Sequence, residues 1–160
     1  MAQQDKRKGR AKNQPQDAVA MLKADHRKVQ NIFRQYESAT DPATQRELAE
    51  EACVELEIHA QLEEEIFYPA VNEETEEGAE LVQEAVNEHA TVKDLITQLR
   101  DMGQDHETFD VTFKELIQNV EHHIEEEEAE MFPLAETELE EEMEDLTEEM
   151  QELKQELTAS

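Results

Sequence analysis

The chain has 160 residues, of which 43 are acidic and 14 are basic, and its formal net charge at pH 7 is −29. Because such a charge repels nucleic acid and anionic membranes, it argues against both as partners of the folded body. Three glycines, four prolines and 4% aromatic residues, beside abundant glutamate, leucine, alanine and glutamine, are typical of an all-α protein.

Residues 1–16 form a basic segment in an otherwise acidic chain. They contain several lysines and arginines against one acid, Asp5, together with Gly9 and Pro15. Such a polar segment cannot bury enough apolar surface to fold, so we predict a disordered N-terminal tail over residues 1–16. The alternative is a segment that contacts a polyanion or the acidic body of the same chain.

Four amphipathic segments follow, each with apolar residues at steps of three and four that form one stripe along a helix. The stripes run from Val19 to Tyr36, from Ala52 to Ala70, from Val82 to Leu99 and from Phe113 to Leu134. Four such helices with short connections favour antiparallel neighbours. We therefore predict an up-down-up-down four-helix bundle over residues 17–136.

The ends of these helices carry recognisable signals. Asp17, Asp41 and Asp105 are suited to cap the first, second and fourth helices, because a carboxylate accepts from the free amides of an opening turn. Gly103 should end the third helix. Pro69 lacks an amide hydrogen and crowds the preceding turn, so the second helix should kink or end near it.

The last segment, residues 137–160, has a narrower apolar pattern in an acidic background. Its apolar residues alternate steps of four and three, as in a heptad seam: Leu139, Met143, Leu146, Met150, Leu153 and Leu157. We predict an additional C-terminal acidic helix that lies on the bundle. Weak self-association through this helix is the alternative, although its many like charges oppose it.

The chain also contains an internal repeat. Residues 123–133 repeat residues 59–69, with histidine, glutamate and proline in register: His59, Glu63 and Pro69 correspond to His123, Glu127 and Pro133. His26 and His89 precede the two blocks at nearly equal distances along the chain. The sequence therefore reads as a duplicated unit with one histidine on one helix and a histidine–glutamate pair on the next.

Six polar side chains interrupt the apolar stripes, at positions where core residues are expected: His26, His59, Glu63, His89, His123 and Glu127. A buried ionised carboxylate is costly unless it is paired, and no lysine or arginine lies on these stripes. One interpretation is a polar layer in which histidines donate hydrogen bonds to the glutamates. The duplication favours a metal site instead.

Helix geometry is compatible with two metal ions. Residues four apart share a helix face, so His59 with Glu63 and His123 with Glu127 can each chelate from one helix. Four nitrogens and two carboxylates suit two ions bridged by the glutamates, about 3.5–4 Å apart. An open set of nitrogen and oxygen ligands points to iron or manganese, and less to zinc, which ligand type alone does not exclude.

With His-Ile-Glu-Glu-Glu-Glu at residues 123–128 and Phe-Pro at residues 132–133, this pattern resembles the hemerythrin family, specifically its HHE cation-binding domains. The resemblance covers about residues 17–136. It implies a non-haem di-iron centre held by the six residues named above, with two bridging carboxylates, an oxo or hydroxo bridge, and an open position for oxygen or another small ligand.

The sequence departs from the oxygen-carrying members of that family at two places. Lys93 stands where those members have a second histidine, and the final pair is His123 with Glu127 four residues later rather than a more widely spaced aspartate. The five-histidine centre of a reversible carrier is therefore not expected. His122 points away from His123 on a helix, and His106 falls in the third connection, so we predict both as surface residues.

Three functions follow from these patterns. The first is a di-iron protein that binds, senses or buffers oxygen, reactive oxygen or nitrogen species, or iron, with oxygen, peroxide or nitric oxide as its small ligand. The second is a di-iron enzyme that decomposes peroxide. The third is an acidic helical scaffold with a structural metal site.

Cellular location is addressed only by indirect signals. A single cysteine, Cys53, cannot form an internal disulfide and suits a reducing cytoplasm. No apolar run approaches the ~20 residues that span a bilayer, and no apolar segment follows the basic tail as in a secretory signal. We predict a cytoplasmic protein. Its acidity indicates a heavily solvated surface, with adaptation to high salt as the alternative.

Overall fold

A computed structural model of the chain describes residues 17–103 and 105–159. The predicted basic tail lies outside the described residues. Within those ranges all regular structure is helical, which confirms the all-α prediction. The helices are α1 (Ala18–Ser38), α2 (Pro42–Leu62), α3 (Tyr68–Glu74), α4 (Glu76–Asp101), α5 (His106–Glu126), α6 (Phe132–Glu138) and α7 (Met143–Ala159).

Two π-helical segments each join two of these helices into one longer, continuous rod. Glu63–Phe67 joins α2 to α3, and Glu127–Met131 joins α5 to α6. The four rods are therefore α1, α2 with α3, α4, and α5 with α6, and they form the predicted up-down-up-down bundle. The bundle brings α1 against α2, α3 and α4 against one another, α4 against α5, and α5 against α1.

The two π-helical segments accommodate Pro69 and Pro133. A proline cannot donate its nitrogen and crowds the preceding turn of an α-helix. The chain forms one wider turn before each proline. The amide of Tyr68 donates to the carbonyl of Glu63, and the amide of Phe132 donates to the carbonyl of Glu127 in the second copy of the repeat. The rod continues past Pro69, so the helix distorts near the proline rather than ending there. Single π-helical turns of this kind occur frequently at functional sites.

The predicted N-terminal caps are confirmed, and the third helix ends two residues before Gly103, close to the predicted stop. The side chains of Asp17, Asp41 and Asp105 each accept a hydrogen bond from a backbone amide of the following first turn. α4 ends at Asp101, before Gly103, and the extended backbone of Met102 leads the chain away. Gly103 has no positive φ, so its special freedom is not used there.

The apolar core is divided into two clusters, one toward each end of the bundle. The first, which we call the proline-end cluster, contains Leu22, Leu62, Phe67, Phe132 and Met131 among its buried members. The second, the loop-end cluster, contains Val29, Phe33, Tyr36, Phe113 and Leu116 among its buried members. The six predicted ligand residues lie along the helices between these clusters and are themselves buried.

The C-terminal helix α7 packs on the bundle against α1, α2 and the first π-helical segment. Leu146 and Met150 are buried in the proline-end cluster, and the other seam residues of α7 pack beside them. The hydroxyl of Thr147 accepts a 2.8 Å hydrogen bond from the amide of Ala18, the first residue of α1. A C-terminal helix that lies on the bundle is thus confirmed, while self-association through it stays a prediction. No helix in the described part of the chain combines the length and the apolar character that a membrane crossing requires.

Candidate metal centre

The six side chains predicted as ligands meet at the middle of the bundle, where each is at most 7% exposed. Their donor atoms form two groups of four: His26, His59, Glu63 and Glu127 in the first, and Glu63, His89, His123 and Glu127 in the second. Within each group the donor atoms lie within 4.8 Å of one another. Both glutamates belong to both groups, so the structure places one carboxylate pair between two histidine pairs.

The first group has the arrangement of donors that a cation needs. Nε2 of His26 lies 3.1 Å from Oε1 of Glu127, and Nε2 of His59 lies 3.2 Å from Oε2 of Glu63. The pairs are close, but they are not aligned as hydrogen bonds, and these four buried atoms have no hydrogen-bond partner among the described residues. Since an unsatisfied buried polar group costs about 1–3 kcal/mol, four of them converging on one point fit a bound metal ion.

The second group differs because a tyrosine hydroxyl lies within it. The Tyr68 hydroxyl is 2.9 Å from Oε1 of Glu63, 3.2 Å from Nε2 of His89 and 3.4 Å from Nε2 of His123, and it also hydrogen-bonds Glu127. A phenol offers one proton and two lone pairs, so it serves at most three of these four neighbours at a time.

Tyr68 was missed by the sequence argument, although the repeat contains a signal for it. The matching position in the second copy of the repeat is Phe132, so the duplicated unit carries a hydroxyl in one copy only. The two rings occupy matching places: Phe132 lies 5.6 Å from the His26 ring, and Tyr68 lies 5.3 Å from the His89 ring. The two groups of donors are thus alike in their histidines and glutamates but differ in this neighbour.

Each of the four predicted ligand histidines is oriented by a carboxylate from a neighbouring helix. The Nδ1 atoms contact Glu128 at 2.7 Å for His26, Asp25 at 3.1 Å for His59, Glu64 at 2.6 Å for His89 and Glu88 at 2.6 Å for His123. Each of the first three rods therefore contributes a carboxylate that contacts a histidine on the next rod, and the fourth rod contributes one that contacts the histidine on the first. This closed ring, which we call the outer carboxylate ring, directs all four Nε2 atoms inward, as in metal sites where a second partner fixes each imidazole.

Three members of the outer carboxylate ring are in turn held by cations. Lys93 binds Glu64 with 2.8 Å between Nζ and Oε1, Lys154 binds Asp25 at 2.8 Å, and Arg27 binds Glu128. Lys93, predicted only as a departure from a histidine, therefore supports the partner of His89. These cations and the burial act in opposite directions: burial alone would raise the pKa of Asp25 and Glu64, but the cation and histidine beside each hold it below its ordinary value.

The fourth member of the ring, Glu88, has a different setting. It lies in a partly exposed group with His122 and Glu126, and the His122 side chain is 63% exposed, as predicted for a surface residue. His106 is the first residue of α5, so its predicted place in the third connection is wrong. Its side chain is half-buried, and its Nε2 lies 2.7 Å from Oε1 of Gln45. Neither residue contributes to the two buried groups.

The buried charges strongly influence one another in the metal-free protein. Burial would raise the pKa of Glu63, but the charge of His59 and the close approach of three histidines lower it well below its usual range. Burial would likewise lower the pKa of His59, yet the charge of Glu63 and the hydrogen bond to Asp25 raise it to about 10. Burial also opposes the charge of His123, but the charge of Glu127 together with hydrogen bonds to Glu127, Glu63 and Glu88 outweighs it and raises that pKa to about 12. Burial and the charges of both glutamates raise the pKa of Tyr68, so its hydroxyl keeps its proton.

A small cavity adjoins the centre on the side of the loop-end cluster. Its volume is about 40 Å³, and all four buried histidines line it together with Val29, Val92, Ile96, Val120 and Ile124. Since roughly 10–15 Å³ of such space suffices for one water molecule, the cavity suits a ligand of two or three atoms. Its lining is mainly apolar, and Lys93 and Glu57 lie on its outer side.

Comparisons with known proteins agree with this architecture. The family model described as the hemerythrin HHE cation binding domain matches residues 17–135. A hemerythrin-like protein of Schizosaccharomyces pombe is 32% identical over 119 residues, which are 74% of this chain and 59% of that protein. A protein of Nostoc named DNA nickase is 29% identical over 127 residues, which are 79% of this chain and 35% of that protein. The chain thus spans less than two thirds of either relative.

A solved structure supports the same conclusion. The crystal structure of a hemerythrin HHE cation binding domain-containing protein from Mycobacterium kansasii matches with a TM-score of 0.75 and 26% identity. The match covers 88% of this chain and 86% of that one. With a family model that matches most of the chain and a buried histidine–glutamate cluster capable of holding metal, the chain belongs to the hemerythrin family and contains a hemerythrin HHE cation-binding domain.

Proposed function

We propose that the chain binds two non-haem iron ions, one in each four-residue group, with Glu63 and Glu127 as ligands common to both. The observation that carries this proposal is the division of four histidines into two pairs across one pair of glutamates. Neutral imidazole and carboxylate ligands suit iron, with manganese and zinc as the less favoured alternatives. The outer carboxylate ring strengthens each imidazole as a donor.

The bound irons would supply redox chemistry and exchangeable ligand positions, and the protein would bind, sense or buffer a small ligand or iron itself. The 40 Å³ cavity beside the histidines supports oxygen, nitric oxide or peroxide as the ligand, because a larger organic molecule would not fit. Its apolar lining limits the access of water. The basic N-terminal tail and the cytoplasmic location take no part in this argument and stay predictions.

A peroxide-decomposing enzyme is the second candidate, and Tyr68 favours it. Its hydroxyl keeps a proton 2.9 Å from Glu63, inside the centre and away from solvent. A proton held at that point could be donated to an adjacent oxygen ligand, and breakage of an oxygen–oxygen bond requires such a proton donor. A passive binder has less need of such a group.

The Nostoc relative's name does not lead us to propose a nucleic-acid function. This chain spans 35% of that protein, and its formal net charge of −29 would repel a phosphate backbone. We propose instead that the folded body has a small-molecule ligand as its main partner.

Metal analysis of protein purified from iron-replete cells tests the proposal. We expect about two irons per chain in the wild type, at most one in Glu63→Ala, and two in His122→Ala, a surface control. Wild-type protein without a bound transition metal, or Glu63→Ala with two irons, would refute it. Catalytic oxygen release from added hydrogen peroxide would select the enzyme, whereas a reversible, stoichiometric spectral change without turnover would select the binder.

A further inference from the structure

The C-terminal helix reaches the metal centre although it lies outside residues 17–135, which the family model matches. Nζ of Lys154 is 2.8 Å from Oδ1 of Asp25, and Oδ2 of Asp25 is 3.1 Å from Nδ1 of His59. His59 in turn faces Glu63, with 3.2 Å between Nε2 and Oε2. One continuous chain of polar contacts therefore runs from α7 to the first group of donors.

The position of Asp25 should depend on Lys154 more than the positions of the other members of the outer carboxylate ring depend on their cations. Asp25 is only 8% exposed and has each carboxylate oxygen bonded to a different partner. Lys154 is 37% exposed, whereas the side chains of Lys93 and Arg27, which hold Glu64 and Glu128, are 53% and 55% exposed. A more enclosed ion pair is less screened by water and salt, so its loss is felt more strongly.

The position of Lys154 is fixed by the way α7 docks. Met150, one helical turn earlier, is 0% exposed in the proline-end cluster, and Thr147 bonds the amide of Ala18 at the start of α1. The ammonium group can reach Asp25 only while α7 lies along α1 and α2.

We propose that Lys154 is a positioning residue of the first metal position: it holds Asp25, Asp25 orients His59, and retention of the metal there depends on the docked C-terminal helix. This inference rests on the proposed two-metal function. It assigns to the segment outside the matched domain a direct role in how firmly one of the two ions is held. The second position, served by Glu64 and Glu88, has no such link to α7 among the described contacts.

The first experiment uses metal-free full-length protein and therefore does not depend on iron. Nitrogen-15 NMR of the histidine side chains follows exchange of the Nδ1 proton of His59 with water. We expect this exchange to be about tenfold faster in Lys154→Met than in the wild type, near the wild-type rate in Lys154→Arg, and unchanged in Lys28→Met, which removes an exposed pair with Glu55. Equal exchange in Lys154→Met and the wild type would overturn the proposal.

The second experiment loads the same variants with ferrous iron and measures its release to a chelator. Changing a partner that orients a metal-bound histidine weakens metal binding about 10–100-fold, so one of two irons should leave roughly tenfold faster from Lys154→Met. Lys154→Arg should restore the rate. The difference should vanish in an Asp25→Asn background, because the lysine acts through that carboxylate.

A difference that persists with Asp25→Asn would show that the lysine acts only through general stability, and it would overturn the proposal. Wild-type protein that takes up no iron would refute the proposed function, while the NMR result would still decide whether Lys154 orients His59. Thermal unfolding of the metal-free variants checks that α7 remains docked in each.

Discussion

The hydroxyl of Tyr68 makes a quantitative prediction about iron affinity. Tyr68→Phe removes one oxygen and leaves the ring, and the repeat already places a phenylalanine at the matching position, Phe132, so the variant should pack normally. In the metal-free protein the hydroxyl lies 2.9 Å from the ionised Glu63, 3.2 Å from His89 and 3.4 Å from the protonated His123. Such hydrogen bonds contribute roughly 1.5–3 kcal/mol each, but His89 keeps its 3.0 Å contact with Glu63, so we expect a total loss of about 3 kcal/mol.

The hydroxyl should contribute less to stability when iron is bound. Once the histidine nitrogens and carboxylate oxygens hold metal ions, the hydroxyl contributes only about 1 kcal/mol, as an ordinary hydrogen bond does. The variant should therefore lose about 2 kcal/mol more in the metal-free form than in the iron-loaded form. By linkage, its overall affinity for ferrous iron should rise, by about 30-fold at 1.4 kcal/mol per factor of ten.

Two measurements test this cycle. Urea denaturation of the metal-free proteins gives the stability difference, and competition with a ferrous chelator gives the affinities. The control is Tyr36→Phe, because Tyr36 is equally buried and donates a 2.8 Å hydrogen bond to Asp110 away from the centre. That variant should lose stability without a change in affinity. An unchanged or lower iron affinity in Tyr68→Phe would refute the reasoning.

Three further predictions concern the fold and its pH dependence. Gly78→Ala should destabilise the protein by about 1–3 kcal/mol in urea denaturation, because its Cβ would lie 2.5 Å from the carbonyl oxygen of Val71, whereas Gly103→Ala, with no atom within 4 Å, should change stability by less than about 0.5 kcal/mol. Met150→Ala should cost about 2–5 kcal/mol and free α7 for proteolysis, and an unchanged midpoint would show that α7 contributes little. In the metal-free protein, protonated His59 stabilises the fold fully below its unfolded pKa of 6.5, and this contribution is lost as pH rises toward its folded pKa of about 10, so the free energy of unfolding should fall between pH 7 and pH 10. Iron-loaded protein, whose His59 carries no proton on Nε2, should lack most of that slope, and equal slopes would contradict the assignment.

Sequence patterns predicted the helices and the six inward-facing polar residues because both depend on periodicity along one helix. His26 and Glu63 interrupt apolar stripes, so their burial could be inferred without knowing their neighbours. The assignment of these residues as metal ligands stays a prediction. The structure brings their donor atoms together in two groups of four.

The outer carboxylate ring could not be predicted in the same way. Its members are four among 43 acidic residues, and what distinguishes them is contact with a histidine on another helix. A local clue was available: Asp25 and Glu88 directly precede a predicted ligand histidine, and Glu64 and Glu128 directly follow a predicted ligand glutamate. The Lys154 contact has no such clue, since it depends on where α7 docks.

The sequence also did not predict that a wider π-helical turn, rather than a helix end, would occur near Pro69. The proline indicates only that an α-helical hydrogen bond is lost. Whether the chain then ends the helix or inserts a π-helical turn depends on how the neighbouring helices hold it. Here Glu63 begins that turn and Phe67 ends it, and both side chains are buried.

The order of contacts in the outer carboxylate ring has a consequence for molecular symmetry. Asp25 with His59 and Glu88 with His123 are contacts within one half of the chain, whereas Glu64 with His89 and Glu128 with His26 join the halves. Two separate copies of a single helical hairpin, related by a twofold axis between the central glutamates, would satisfy the same contacts. The centre therefore has the pseudo-twofold geometry of a homodimer, although both halves belong to one polypeptide. Fusion allows the two copies to diverge, and the phenol on one side and the C-terminal lysine on one carboxylate are differences that a strict dimer would have to carry twice.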